Sequence, residues 1–309
     1  MQGILVNECP CCGSEEIKFP FQLNENTAER FRLLSRLKYG GFMDGWETRL
    51  SLTLAQCERC AHIWHYTRPD QDSIFNMYAQ GKRLNRSAAS TNSSARIRWS
   101  VSRLFDYCTS PIDDKSFLDF GSGAGRWSAA AQQAGFHVTA YEPVLSRQSR
   151  NGGIEVVGAL AEIEGRRFNV INLEQVLEHV PYPAEVLRTL ERFCYPDTVL
   201  RISVPDVQRL GNRLWLGFPF NGENMHILSP FEHLHGFRHS SLTALLKTVG
   251  LKACADWRLG LYLPDYVVKR CTIGLGLPFS RTMVLARFSS KSPTSITRDM
   301  KAIEHVILN

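Results

Sequence analysis

Three sets of residues in this 309-residue sequence have the types and the spacing to do chemistry. The first is a thiol set. Cys9 and Cys12 form a C-x-x-C pair followed by Gly13, and Cys57 and Cys60 form a second pair after 44 intervening residues. Two such turns let four thiolates converge on one zinc ion, and the glycine suits the tight turn that this demands. Four thiolates leave no open coordination position, so the expected role is structural, joining two pieces of chain that have little core of their own. Cys11, His62 and His65 stand close enough to replace one ligand. The second set is a glycine loop, Gly121, Gly123 and Gly125, preceded by Asp119 and followed by Glu142, 17 residues past the last glycine. Glycines admit a ligand close to the backbone, and a carboxylate ending the next strand can accept both hydroxyls of a ribose. The third set is imidazole: His179, and His233 beside Glu232, in a stretch that also holds His226, His235 and His239. With an ordinary pKa of about 6.5, histidine is the natural proton acceptor near neutrality.

The elements around these residues give them positions. Phe117–Phe120 reads as a short buried strand ahead of the glycine loop, WSAAAQQAG as the helix after it, and HVTAYEP as the strand that ends at Glu142. IEVVG, FNVINLEQ and TVLRISVPD supply three more strands, with a helix over PAEVLRTL, then helix SLTALLKTVG and strands LKACADW and RTMVLARF. Alternating strands and helices imply a doubly wound α/β sheet. Around the cysteines, EEIKFPFQL, TRLSLTLAQ and AHIWHY have strand character, and TAERFRLLSRLKYGGF reads as a helix with Phe31, Leu33, Leu34 and Leu37 on its apolar side. RIRWSVSRLFDYC carries Ile97, Val101, Leu104 and Phe105 at helical spacing, as a helix covering the sheet.

LDFGSGAG followed by YEP resembles the class I S-adenosylmethionine-dependent methyltransferases, and the resemblance recurs in FNVINLEQVLEHVPYPAEVLRTL. It implies a Rossmann-like fold over about residues 115–255. It also implies a cofactor site in which Asp119 lies near the methionine amine, Gly121, Gly123 and Gly125 approach methionine and ribose, and Glu142 holds the diol. Ala159, Leu160 and Ala161 would flank the adenine, and Glu174 and Gln175 would border the methionine end. FEHLHGFRHSSLTALLKTVGL is similar to the acceptor-lining segment of sugar C-methyltransferases, which also carry an N-terminal cysteine-bound zinc module. By that resemblance Glu232 and His233 sit beside the acceptor, with His233 as the base oriented by Glu232 and His179 as the second choice.

The expected organisation is a zinc-ribbon-like module over 1–75, a linker and covering helix over 76–112, the methyltransferase domain over 113–290 and a polar tail over 291–309. Long segments at 206–239 and 259–281 interrupt the last of the sheet. The expected cofactors are S-adenosyl-L-methionine and structural Zn2+, and the expected partner is a small-molecule or carrier-bound acceptor, a sugar or carbohydrate precursor among them. Two other functions fit parts of the sequence: an RNA methyltransferase that grips RNA through its ribbon, and a non-catalytic scaffold that binds the cofactor. The charge of +6 is mild for a nucleic-acid binder, and INLEQ stands where amine-methylating enzymes carry N-P-P-Y. Hydrophobic residues at 44% and charged residues at 21% sustain a packed core. The longest uncharged apolar runs, such as 273–279, are far shorter than the roughly 18 residues of a membrane span. The first ten residues have no basic, apolar leader pattern, and a cytoplasmic protein with reduced cysteines is expected.

Overall fold

Apolar runs bounded by glycine and polar turns give five parallel strands at the centre of the molecule: β6 (Ser116–Phe120), β7 (His137–Tyr141), β8 (Glu155–Val157), β9 (Phe168–Glu174) and β10 (Cys194–Pro205). The computed structural model describes residues 3–39, 52–70, 95–108, 111, 115–143, 153–208, 210, 220, 227–228, 232–254 and 281–289. Two shorter contributions close the sheet. β13 (Arg281–Phe288) runs antiparallel to β10, and β12 (Leu251–Ala253) antiparallel to β13. The order is β12-β13-β10-β9-β6-β7-β8.

The chain therefore winds outward from β6 through β7 and β8, then returns to lay β9 on the other side of β6. Side-by-side strands whose connections leave in opposite directions open a crevice at their carboxyl ends, where such sheets bind ligands. The glycine loop follows β6 and the LEQVLEH segment follows β9, so both sequence motifs sit at that switch point.

Packing follows the hydrophobic pattern. Leu118, Ile171 and Leu200 share one register across β6, β9 and β10 and are completely buried. Each such side chain is worth about 1.5–3 kcal/mol of burial. Helices α2 (Ala95–Tyr107) and α3 (Arg126–Gln133) cover one face, with Ile97, Val101 and Leu104 of α2 buried as their spacing predicts. Helices α4 (Pro183–Leu190) and α5 (His239–Thr248) belong to the other core through Val186, Leu187, Leu242 and Leu245.

The cysteine-bearing segment builds a second sheet. β2 (Ile17–Gln22), β3 (Thr53–Cys57) and β4 (Ile63–His65) are antiparallel neighbours, and β1 (Gly3–Leu5) pairs separately with β5 (Thr67–Pro69). The fourth strand of this sheet comes from far along the chain: β11 (His235–Gly236) pairs with β4. Cys9, Cys57, Cys60 and Trp64 lie in the same continuous core as Leu173, Val204 and Leu246 of the large sheet. The cysteine sheet and the large sheet are thus joined by backbone ladder and by core.

Helix α1 (Glu25–Tyr39) follows an Asn24–Thr27 turn in which Thr27 N–H donates to Asn24 Oδ1 at 3.1 Å. Its apolar side differs from the sequence expectation. Phe31 is buried against Phe220, with ring centroids 5.2 Å apart, but Leu33 and Leu37 are 61% and 76% exposed. The buried side is narrower than that spacing implies: Ala28, Phe31 and Ser35 are buried and Leu34 is partly buried against the same cluster. The polar stretch at 71–94, the segment at 259–280 and the tail at 291–309 lie outside the described residues.

His62 and His65 are fully enclosed, and loss of hydration pushes both imidazoles down to about 3. A base whose folded pKa lies below its unfolded value near 6.5 stabilises the fold above that value and loses the contribution as pH falls toward 3. Stability should fall by up to about 1.4 kcal/mol per pH unit per histidine below roughly pH 6.5. Urea titrations at pH 7 and pH 5 should show a shallower loss for His65→Gln than for the unaltered protein. Equal losses would refute the assignment.

Candidate active site and cysteine cluster

The glycine loop turns sharply because Gly121, Gly123 and Gly125 all occupy the left-handed region, at φ 75°, 52° and 71°. Gly121 and Ser122 N–H both donate to Tyr141 O, at 2.9 and 3.0 Å, tying the loop to the end of β7. Glu142 follows Tyr141 and is buried. Its Oε2 accepts the Gly123 N–H at 2.9 Å, which fixes the carboxylate at the mouth of the loop. A side chain at Gly123 would meet no atom within 4 Å, so the bare backbone there faces open space. At Gly121 the reverse holds, since an added Cβ would lie 2.8 Å from Val176 Cγ2. The β6 and β9 loops are therefore in contact across the switch point.

Asp119, next to last in β6 and just ahead of the loop, has both carboxylate oxygens bonded within the protein. It is buried, with Oδ2 accepting Ser128 Oγ–H at 2.5 Å and Oδ1 accepting Asn172 Nδ2–H at 2.8 Å. Burial raises its pKa, opposed by those two bonds. Asn172 in turn accepts from Arg201 at 2.8 Å, and Arg201 also donates to Glu174 Oε2 at 2.8 Å. The Arg201 guanidinium lies 3.7 Å from the ring centroid of Trp127. Glu174 is the partly open end of this chain of contacts. Gln175, a non-glycine residue at φ 58°, comes next, held by its N–H to Ser203 O at 2.8 Å. Backbone strain of this kind gathers where a loop is shaped for a ligand.

After β8, Gly158 and Ala159 N–H both donate to Glu162 Oε1, at 2.9 and 2.7 Å, opening a single helical turn over Leu160–Ile163. The Leu160 side chain is wholly in the core, while Ala159 is half-buried and Ala161 exposed.

Two imidazoles meet at the turn after β9. His179 and His233 meet edge to face with centroids 4.4 Å apart. His179 Nδ1 lies 2.8 Å from Glu232 O, and His233 Nδ1 lies 2.9 Å from Ile227 O. A carbonyl can only accept, so in both neutral rings Nδ1 carries the proton and the basic lone pair is on Nε2. His233 is thus oriented by Ile227, and Glu232 contributes its main-chain carbonyl to His179. The sequence reading missed Glu178, which is completely buried, with Oε1 4.0 Å from His179 Nε2. The ligand atoms of Glu178, His179 and His233 all lie within 4.8 Å of one another.

Cys9, Cys12, Cys57 and Cys60 converge as their spacing predicts, with all four sulfurs within 4.8 Å of one another. Cys9 and Cys60 are 3.5 Å apart, and Cys12 and Cys57 3.6 Å. These are far longer than a disulfide, and close to the roughly 3.8 Å edge of a tetrahedron with zinc–sulfur bonds of about 2.3 Å. Both turns end in a left-handed residue, Gly13 at φ 68° and Ala61 at φ 60°. Cys11 is buried but stands outside the set.

The contrast between two glycines gives a test of the loop geometry. Gly121→Ala combines left-handed strain with a clash against Val176 and should cost about 2–4 kcal/mol. Gly123→Ala, strained but open, should cost about 1–2 kcal/mol. Chemical denaturation of both variants should return that order, and equal costs would mean that Val176 does not press on the loop.

The family described as a methyltransferase domain matches residues 91–255. A ubiquinone biosynthesis O-methyltransferase from Hahella chejuensis (strain KCTC 2396) is 33% identical over an alignment of 104 residues that covers 30% of this chain. The chain spans 44% of the length of that relative. Among solved structures, the Burkholderia thailandensis 1,6-didemethyltoxoflavin-N1-methyltransferase is 16% identical, covering 71% of this chain and 87% of its own, with a TM-score of 0.43. The plantazolicin methyltransferase BamL is 12% identical, covering 71% and 98%, with a TM-score of 0.46. The family match takes in just over half of the sequence, including the glycine loop, Glu142 and His179, and the chain belongs to the methyltransferase-domain family.

Proposed function

We propose that this protein uses S-adenosylmethionine to methylate a small-molecule or carrier-bound acceptor whose proton is taken by an imidazole. What supports the reading is a glycine loop with a fixed carboxylate after β6, pressed by Val176 of the turn after β9, the turn that also bears His179. A backbone-lined loop with a fixed carboxylate, Glu142, sits on the β6–β7 side, and two histidines with basic Nε2 atoms sit beyond β9. When bound, the donor supplies a methyl group on a cationic sulfur, which a nucleophile displaces in line.

The rest is done by this chain. Glu142 accepts hydrogen bonds from the ribose hydroxyls, and Gly123 lets the donor approach the backbone. Glu174 and the strained turn at Gln175 border the methionine end. Asp119 acts from beneath, holding Ser128 and Asn172 and hence the start of α3 and the end of β9. His233 Nε2 removes the acceptor's proton, from a hydroxyl or from a carbon beside a carbonyl, and His179 Nε2 stands by as the alternative base. Alignment of the acceptor against the donor contributes the remainder of the rate. The partial likeness to an O-methyltransferase favours a hydroxyl acceptor. A sugar or carbohydrate precursor remains the narrower candidate on the resemblance of the FEHLHGFRH segment.

The cysteine set fits zinc, which would cross-link the two turns and leave no position for substrate. Protein purified without chelators should carry about one equivalent of zinc by atomic emission. Cys57→Ser should lose it. Full retention of zinc in that variant would refute the ligand set.

The enzymatic reading is tested with labelled donor and a metabolite extract. Glu142→Ala should weaken binding of S-adenosylhomocysteine by calorimetry about 10–100-fold, as a lost charged hydrogen-bond pair does. His233→Ala should leave that binding within about twofold and lower methyl transfer by roughly 100-fold or more. Undiminished transfer would move the role of base to His179.

A further inference from the structure

The two histidines assigned to proton transfer are tied to the cysteine turn by a pair of histidines that no part of that assignment uses. His62 lies two residues beyond Cys60, and His235 two residues beyond His233. Both are buried. His62 Nε2 and His235 Nδ1 are 3.2 Å apart, and His235 Nε2 is 3.0 Å from the carbonyl of Val180, the residue after His179. The direction of each bond follows from the last acceptor. Val180 O can only accept, so His235 Nε2 carries the proton and its Nδ1 is the acceptor, and His62 Nε2–H is therefore the donor. Trp64 and Phe237 enclose the His62 ring, with centroids 5.9 and 4.9 Å away.

The main chain runs alongside. His65 N–H donates to Leu234 O at 3.2 Å, and Leu234 and His235 N–H both reach Glu178 O, at 2.7 and 3.3 Å. The segment carrying His233 is therefore held between β4 and the turn carrying His179. On the far side, Cys57 N–H donates to His62 O at 2.9 Å, and Ser240 Oγ–H of α5 donates to Cys60 O at 3.0 Å.

We infer that His62 and His235 are positioning residues that transmit the placement of the Cys57–Cys60 turn to His179 and His233, setting the distance and tautomer of the two proton acceptors. The inference rests on the proton-transfer reading above for its consequence, but the relay has its own readout. Two substitutions at His62 separate hydrogen bonding from packing. His62→Gln keeps an N–H donor at the Nε2 position and loses the ring, whereas His62→Phe keeps the ring and loses the donor.

The experiment is imidazole 15N spectroscopy of the full, metal-loaded chain, with S-adenosylhomocysteine titrated by calorimetry to show that each variant is folded. His62→Phe should move the His179 and His233 nitrogen resonances away from those of a fixed Nδ1–H tautomer. Transfer of label from the donor into a metabolite extract should fall at least tenfold, with by-product affinity within twofold. His62→Gln should keep the native resonances and stay within about threefold of native transfer. The opposite ranking, Phe native-like and Gln perturbed, or unmoved resonances in His62→Phe, would overturn the relay in favour of packing alone. If neither variant folds, a two-bond nitrogen–nitrogen coupling between His62 Nε2 and His235 Nδ1 in the native protein decides, and its absence overturns the proposal. Native protein that shows the relay in its spectra but neither binds the by-product nor transfers label would instead sink the methyltransferase reading and leave the relay standing.

Discussion

Buried main-chain groups must find partners, and the stretch from His233 to Phe237 has to find them on two sides at once. On one side its strand pairs with β4 of the cysteine sheet, and on the other Leu234 and His235 turn their N–H groups to Glu178 O. Val207 N–H then donates to Phe237 O at 2.9 Å, tying the same stretch to the end of β10. This one short segment carries the register between the large sheet, the cysteine sheet and the turn that bears His179. A deletion or a register slip in it would move His233 relative to His179, and every description of the site depends on their separation.

That arrangement gives the cysteine set a reason to be where it is. Thr248 Oγ1–H of α5 donates to Cys11 O at 3.0 Å, and Ser240 Oγ–H to Cys60 O, so one helix grips both turns. Arg68, buried, donates to Pro181 O at 2.6 Å and stacks on Tyr182, which binds the end of the cysteine segment to the start of α4. The cysteine sheet is thereby part of the scaffold that holds His179 and His233.

Much of this was readable from the sequence, and the limits have physical causes. The parallel strands, the glycine loop, Glu142 as a strand-ending carboxylate and the convergence of four cysteines follow from short-range patterns, because period and spacing encode them directly. The pairing of β11 with β4 was not readable, since a two-residue strand has no period and its partner lies some 170 residues away. The orientation of His233 by Ile227 O, where Glu232 was expected, was hidden for a related reason: main-chain acceptors leave no mark on residue type. Leu33 and Leu37 of α1 misled because helical spacing reports which residues share a face and not how wide the contact will be.

The polar residues beneath the crevice had a signal that went unread. SFLDF, NVINLE and VLRISV are largely apolar strands in which Asp119, Asn172 and Arg201 interrupt the buried run, and the three are direct neighbours: Asp119 pairs in register with Asn172, and Asn172 with Arg201. A buried charge is tolerated only with partners, so three such interruptions in adjoining central strands imply one another. Asn172 is the hinge of the set, an amide able to donate to the carboxylate on one side and accept from the guanidinium on the other. Arg201 then spends its remaining charge on Glu174 and on the face of Trp127. The result is a row of fixed dipoles and charges running from the start of α3 to the mouth of the β9 loop, with Glu174, partly open, at the end that borders the crevice. A cation placed there meets a carboxylate already oriented from below, without a rearrangement to accompany binding.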